Sequence, residues 1–557
     1  MILDGRIRRY SEKPFAEDDG WIVAPTQPAA GKEHPRALGL EQAHQGITWR
    51  QHLVVFGPLL IIYFALAFYR LTHQSLWVDE VASLIDADPN GLFWARGDWL
   101  SGRGPFHPRL LQLWARAFTS EFALRSLSPL LGSIAVCLVY LMSLRLGNRR
   151  FALIATLLFA TSPFLIWYSQ EIRYVILMMA ATLFSMYAFE RVLSTDRSAW
   201  WLLYGCSLIL AIGTFMVNVL LPLVQGLYLV RSEARYLVWR KWLVSQLVIV
   251  VLFAWWANGG HIGHLGGHWQ KLRGSLSTDA EKPHAVDPEP RFSIGSSREF
   301  QAMALPYTFF AFSTGFSLGP SVRELHITRS WPALRSHAVI ISSCAVVFGS
   351  LLSLGIAVLW RRREAAEFLL IWLVVPVIVI LSVSALIPSL VYNVRYAAMA
   401  LPAYILILAA AIANLRAPVI QAASLTAVLA VNGLSLANYY FDPRYNREDA
   451  RSAARYLEAA TRPQDIVVVV GNPGAFQYYY RGNVPVQRVN RTLVGERSAL
   501  SERLQRLNAQ HDRVWLVEIR PWEADPQETV KAILDAGYHL SAHKELPGVG
   551  IYAYEER

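Results

Sequence analysis

Long apolar runs, separated by short polar breaks, dominate this chain from about residue 52 to residue 440. Eleven of them are near the 17–25 residues that an α-helix needs to cross a hydrocarbon core. They lie near 52–70, 125–147, 151–168, 172–193, 199–215, 216–231, 242–258, 338–360, 366–388, 396–414 and 417–439. The stretch 199–231 is broken only at "FMVN", so it reads as two spans or as one long tilted helix. The pattern predicts an α-helical polytopic membrane protein. Residues 1–51 are polar and mixed in charge, which predicts a cytosolic N-terminal tail with little structure of its own. No short apolar segment with a cleavage site precedes the first span, so no removable signal peptide is expected. After residue 440 the pattern changes. "DIVVVV", "GAFQYYYRG", "DRVWLVEI", a polar-faced helix near 526–537 and "GVGIYAY" predict a small α/β domain over 441–557.

Composition agrees with the span pattern. Of 557 residues, 54% are hydrophobic and 17% charged, against roughly 25% charged in soluble domains. The net charge of +11 does not indicate a nucleic-acid partner, because many of the basic residues sit in short loops between spans. "GNRR" (147–150), "STDRS" (194–198), "RSEARYLVWRK" (231–241), "RRRE" (361–364) and "LRAP" (415–418) all carry Lys or Arg. Under the positive-inside rule these loops are cytoplasmic, which puts the N-terminus inside and the C-terminal domain outside. Cys137, Cys206 and Cys344 fall inside apolar runs and form neither a disulfide framework nor a zinc pattern. Three polar regions then share the outer side: a first loop over 72–124, a long loop over 259–337, and the C-terminal domain.

Candidate chemistry concentrates in those regions. "SLWVDEVASL" puts Asp79 and Glu80 just beyond the first span. Val81, Leu84 and Ile85 make an apolar stripe near Trp77, which suits a short amphipathic helix in the interface. Adjacent helical residues point about 100° apart, so the two acids aim at different neighbours. "GRGPFHP" turns the chain beside His107, for which a turn-stabilising hydrogen bond competes with a role at the substrate. A second amphipathic stretch starts with Leu110, Leu111, Leu113, Trp114 and Phe118. "SPFLIWYSQEIRYVILMMA" places Gln170, Glu171 and Arg173 at an outer apex, where a plain solvated loop is the alternative. "FSTGFSLGPSVREL" supplies Arg323 and Glu324, and "SLVYNVRYAAMALPAY" supplies Asn393, Arg395 and Tyr396. An arginine at a membrane boundary often only snorkels, yet it also suits a phosphate-bearing lipid headgroup. His261, His264 and His268 in "GGHIGHLGGHWQ" have helical spacing, but the glycines among them favour a flexible polar loop over a metal site.

Taken in order, these motifs resemble bacterial members of glycosyltransferase family 39, integral-membrane enzymes of the GT-C class. Their relatives are the protein O-mannosyltransferases and the lipid A aminoarabinose transferases. The resemblance covers most of residues 52–460 and continues through "YNREDARSAARYL". It implies a GT-C-type bundle in the bacterial inner (plasma) membrane and a polyprenyl-phosphate-linked sugar donor. It also implies inverting transfer, on the outer face, to a lipid, glycan or protein acceptor. By the same resemblance Asp79 is the general base, with Glu80 orienting or supporting it. Glu171 takes the family's acidic position in the second outer loop, where it has the acceptor, a metal or the base as partner. The leaving phosphate needs positive charge, for which Arg395 is the first candidate, with Arg173 or Arg323 behind it. No cofactor is assigned, and a divalent metal is compatible. The chain lacks the folded luminal domain that protein-modifying members carry in the long loop, which argues against protein O-mannosylation.

Competing functions share some of these features. A flippase or transporter of a lipid-linked glycan would tend to show internal repeats and midplane polar residues, and no convincing repeat is present. A glycan polymerase or ligase using a diphosphate donor would differ in its phosphate pocket. A glycosidase would need two opposed carboxyl groups roughly 5–10 Å apart. Asp79 and Glu171 could meet that distance, though a site among many spans is an odd setting for it.

Overall fold

The computed structural model describes residues 49–87, 104–232, 235–256, 298–327, 331–387 and 392–556. Most of the N-terminal tail, part of the first loop and the His261–His268 cluster lie outside the described residues. Every predicted span falls mostly on helix among the described residues. Among the described residues, six helices are long and apolar enough to cross a membrane, or seven if one bent pair is a single span. Val54–Phe68, Ser198–Thr214 and Met216–Arg231 are shorter apolar helices. The expected eleven therefore counts segments below the usual spanning length. The chain is a multi-pass membrane protein.

Local sequence explains the breaks. The bent pair, Arg149–Ala160 and Pro163–Ser169, turns by 53°. Proline disfavours α geometry in the residue before it, and Ser162 is extended (φ −60°, ψ 121°) while its hydroxyl caps the Leu165 amide. Over 199–231 there are two helices, folded back on each other. Phe215 is extended between them (φ −151°, ψ 126°), and the Tyr204 hydroxyl reaches Gln225 Oε1 at 2.7 Å.

The long loop contains a helix that its patterning did not announce. Arg298–Thr314 packs into the bundle: Phe312 meets Phe164 edge-on at 5.4 Å, and Ser313 shares a 2.6 Å hydrogen bond with Tyr404. Pro306 interrupts the apolar pattern in this helix.

The C-terminal domain is a five-stranded sheet in the order β2-β1-β3-β5-β4. Its strands are β1 (Ile466–Gly471), β2 (Val486–Val489), β3 (Val514–Ile519), β4 (His539–Leu546) and β5 (Val549–Glu555). β2, β1 and β3 are parallel, and β5 runs antiparallel to β3 and pairs with β4. "GAFQYYYRG" starts a short helix, Gly474–Tyr479. β1 and β3 are buried on both faces, as a covered parallel sheet requires. Val468, Val470, Val514 and Leu516 face helices Arg497–Gln510 and Thr529–Gly537 through Leu500, Leu504, Val530 and Leu534.

The other face of the sheet joins this domain to the first loop. Val467, Val469, Trp515 and Val517 share a core with Leu76, Val81, Leu111, Leu124 and Ile172. Two short helices of the first loop, Val78–Asp86 and Phe106–Ala117, are thus clamped between the sheet and the membrane bundle. Of the predicted stripe, Val81 is buried and Ile85 is exposed.

Candidate active site

The acids at positions 79 and 80 occupy the first turn of helix Val78–Asp86 and point in different directions. Glu80 points inward and is fully buried. Arg125 holds it with two hydrogen bonds, Nε to Oε1 at 2.9 Å and Nη2 to Oε2 at 2.7 Å. The Ile172 amide donates to Oε1 at 3.1 Å, and the Trp77 amide donates to Oε2 at 3.3 Å. Burial pushes the Glu80 carboxyl up, but Arg125, Arg447 and the Ile172 amide outweigh it and hold it below the usual carboxylate range. Arg125 also donates to the carbonyls of Leu71, Gln74 and Ser75. Together these contacts fix the path of the chain from the first span into the helix that carries Asp79.

Asp79 faces a cavity of about 620 Å³, with about a third of its side chain (31%) exposed. Its Oδ2 accepts from Arg395 Nη1 at 2.9 Å and forms a close ion pair with Arg173. Arg395 is aimed by its own turn. Asn393 caps the 3-10 segment Val394–Ala400 by accepting from the Arg395 amide at 3.1 Å. The Arg395 guanidinium then lies 5.5 Å from the Tyr396 ring centre, within cation–π range. Tyr396 in turn rests on Phe215 at 5.5 Å and does not itself line the cavity. Burial, and then the neighbouring Arg395 charge, push Arg173 down to about 9, which leaves it cationic at neutral pH.

The apex at 170–173 is tied to the first span. Gln170 donates to the carbonyls of Ala67 at 3.0 Å and Tyr69 at 2.8 Å, meeting acceptors that a helix end leaves unpaired. Glu171 is buried in the cavity wall and ion-paired with Arg447. Burial raises it to about 7 even though Arg447 pulls the other way.

The remaining predicted residues divide. Arg323 and Asn393 line the cavity. His107 is buried in helix Phe106–Ala117 and does not line it. Glu80 and Arg173 do not line it either, and Arg173 reaches it only through its ion pair with Asp79. Among the described residues, no three His, Cys, Asp or Glu side chains gather as metal ligands.

Sequence reasoning passed over Arg447. It enters from the link between the last span and the soluble domain and is sandwiched between Trp77 at 5.3 Å and Trp167 at 5.0 Å. It reaches Glu171 and, at 3.5 Å, Glu80. Nothing local marks it out among 52 basic residues. The usable signal was its position inside "YNREDARSAARYL", together with the two tryptophans beside the candidate acids. Arg488, Arg491 and Arg520 of the soluble domain, which also line the cavity, were missed as well.

A bundle of apolar helices, a carboxylate in the first loop beside arginines, and an α/β cap over the cavity make up the fold of a GT-C glycosyltransferase. Residues 103–257 match the family model described as dolichyl-phosphate-mannose-protein mannosyltransferase. The fold is similar to that of ArnT from Cupriavidus metallidurans in the apo state, with TM-score 0.55 and 12% identity over 90% of this chain and 98% of that one. The same protein bound to undecaprenyl phosphate gives TM-score 0.51 and 14% identity over 91% and 98%. At these identities the likeness is one of fold. No curated protein matches this chain in sequence.

Proposed function

We propose that this protein is a membrane glycosyltransferase that moves a sugar from a polyprenyl-phosphate donor to an acceptor hydroxyl on the outer face of the membrane, with inversion. The observation that carries this reading is the 2.9 Å contact between Arg395 and Asp79 inside one large cavity. A carboxylate and a guanidinium there suit the two ends of a displacement at an anomeric carbon. The similarity of the fold to a protein crystallised with undecaprenyl phosphate adds support.

In the proposed reaction the acceptor oxygen bonds to the anomeric carbon as the bond from that carbon to the phosphate oxygen breaks. Asp79 takes the acceptor's proton. A carboxylate can accept that proton, and the ion pairs with Arg173 and Arg395 hold Asp79 at the cavity. The leaving group is a phosphate and needs no general acid. Arg395, with Arg323 in the same wall, provides charge-assisted hydrogen bonds to the oxyanion that develops. Glu80 and Tyr396 are positioning residues for Asp79 and Arg395. The positive-inside pattern of the loops supports an extracytoplasmic side for this chemistry.

The test is turnover of purified protein in liposomes with a panel of undecaprenyl-phosphate-linked sugars and mixed envelope acceptors. Released undecaprenyl phosphate with at least one donor is the expected result. Intact donors across the whole panel would overturn the proposal.

A further inference from the structure

The soluble domain does more than cover the bundle. Its three parallel strands all point their carboxyl ends at the cavity. Gly471 ends β1, Arg488 and Asn490 lie at the end of β2, and Arg520 follows β3, and all four line it. The amino ends are closed off elsewhere by Asp465, which accepts from Arg513 at 2.8 Å and Trp515 at 3.0 Å.

The connections that leave the adjacent strands β1 and β3 run over opposite faces of the sheet. Helix Gly474–Tyr479, which follows β1, packs on one face through Ala475 and Phe476. Helix Thr529–Gly537, which follows β3, packs on the other through Val530 and Leu534. That reversal opens a crevice at the strand ends, the general location of ligand sites in open α/β sheets. "VVVVGNPGAF" lacks dinucleotide spacing, so the crevice is not a nucleotide site of that type.

Its backbone and charge are specific. Gly471 has φ +95°, and a Cβ there would come within 2.0 Å of the Ile519 carbonyl oxygen. Arg520 takes a left-handed conformation (φ 54°), which a non-glycine residue adopts only against steric resistance. Seven arginines and four carboxylates line the cavity. Asp79 and Glu171 pair with Arg395 and Arg447 in the membrane half, and Arg520 pairs with Glu448 and Glu523. The lining thus carries more cations than acids, and the soluble domain adds Arg488 and Arg491 to it beside Arg520.

We propose that the carboxyl ends of β1–β3 form an acceptor subsite for an anionic glycan, one carrying a carboxylate or phosphate, recognised by Arg488 and Arg491. The proposal rests on the donor reading above, in which Arg395 takes the lipid phosphate and leaves the soluble-domain arginines to the acceptor.

The test is calorimetric titration of the full chain in detergent with trigalacturonate, neutral galactotriose and undecaprenyl phosphate. Wild type should bind trigalacturonate at least about tenfold more tightly than the neutral trimer, because only the charged trimer makes charge-assisted contacts. R488A/R491A should lose that preference and keep its affinity for undecaprenyl phosphate. R488K/R491K should retain part of it, which separates lost charge from lost folding. Equal binding of the two trimers by wild type would overturn the subsite. So would a loss of undecaprenyl phosphate affinity in R488A/R491A, which would assign these arginines to the donor. Trigalacturonate binding that depends on the pair, in a protein that never binds undecaprenyl phosphate, would uphold the anion subsite and overturn the donor reading.

Discussion

Asp79 and Glu80 are neighbours with opposite surroundings, because each step along a helix turns the side chain by about 100°. The division between the two acids was therefore readable in the sequence. Glu80 has become half of a fully buried pair with Arg125. Removing one member of such a pair leaves a buried charge uncompensated, at a cost of about 3–5 kcal/mol. Glu80→Gln should lower the melting temperature in detergent substantially, and the protein that remains folded should turn over more slowly because Asp79 is no longer held in place. A Glu80→Gln variant that melts like wild type would contradict this structural role. Arg447 was not readable in the same way. Its contact with Glu171 spans 276 positions, and no local pattern encodes so distant a pairing.

At the level of elements, apolar periodicity announced the spans because their length is set by the bilayer. Weaker signals failed for physical reasons. β2, "VQRV", is four residues long with three of its positions half-exposed or exposed, too short and too polar to stand out. The helix Arg298–Thr314 is broken up by Pro306 and by polar residues that find partners only in the folded bundle. β3 carries an acid within an apolar strand. Glu518 is buried, and among the described residues its Oε1 has no hydrogen-bond partner. Burial, and then the Glu528 carboxylate, raise it to about 7 from an ordinary value of 4.5. A raised folded value means the native state holds this proton more tightly than the unfolded chain. The resulting stability is complete below about pH 4.5 and is lost as pH rises through about 7. Glu518→Gln should remove roughly 1–3 kcal/mol of pH dependence, because each tenfold change in proton affinity is worth about 1.4 kcal/mol. Melting curves between about pH 5 and pH 8 would show it as a flatter profile. An unchanged slope would place the titration elsewhere.

On the scale of the whole molecule, the membrane bundle and the soluble domain share one core. Leu76, Val81 and Leu111 of the first loop are buried against Val467, Trp515 and Val517 of the sheet, and Arg447 and Arg520 both stand over Trp77. The change of composition near residue 440 announced the soluble domain, but its docking face was hidden. Docking depends on the opposite surfaces of two segments about 400 positions apart. A chain ending at Phe441 should therefore expose the first-loop helices, and limited proteolysis should cut near residues 75–87 much faster than in the full chain. Equal protection would mean that the first loop folds without the cap.

The central claim is that Asp79 removes the acceptor's proton. Asp79→Asn keeps the size and much of the hydrogen bonding of the side chain but lacks a basic carboxylate. Removing a positioned general base typically costs about 10²–10⁴-fold in rate. Single-turnover release of undecaprenyl phosphate from the donor that wild type accepts, with liposome insertion and donor affinity measured alongside, tests this directly. The predicted result is a rate at least about a hundredfold lower, with normal insertion and donor binding. Transfer by Asp79→Asn at the wild-type rate would contradict the account.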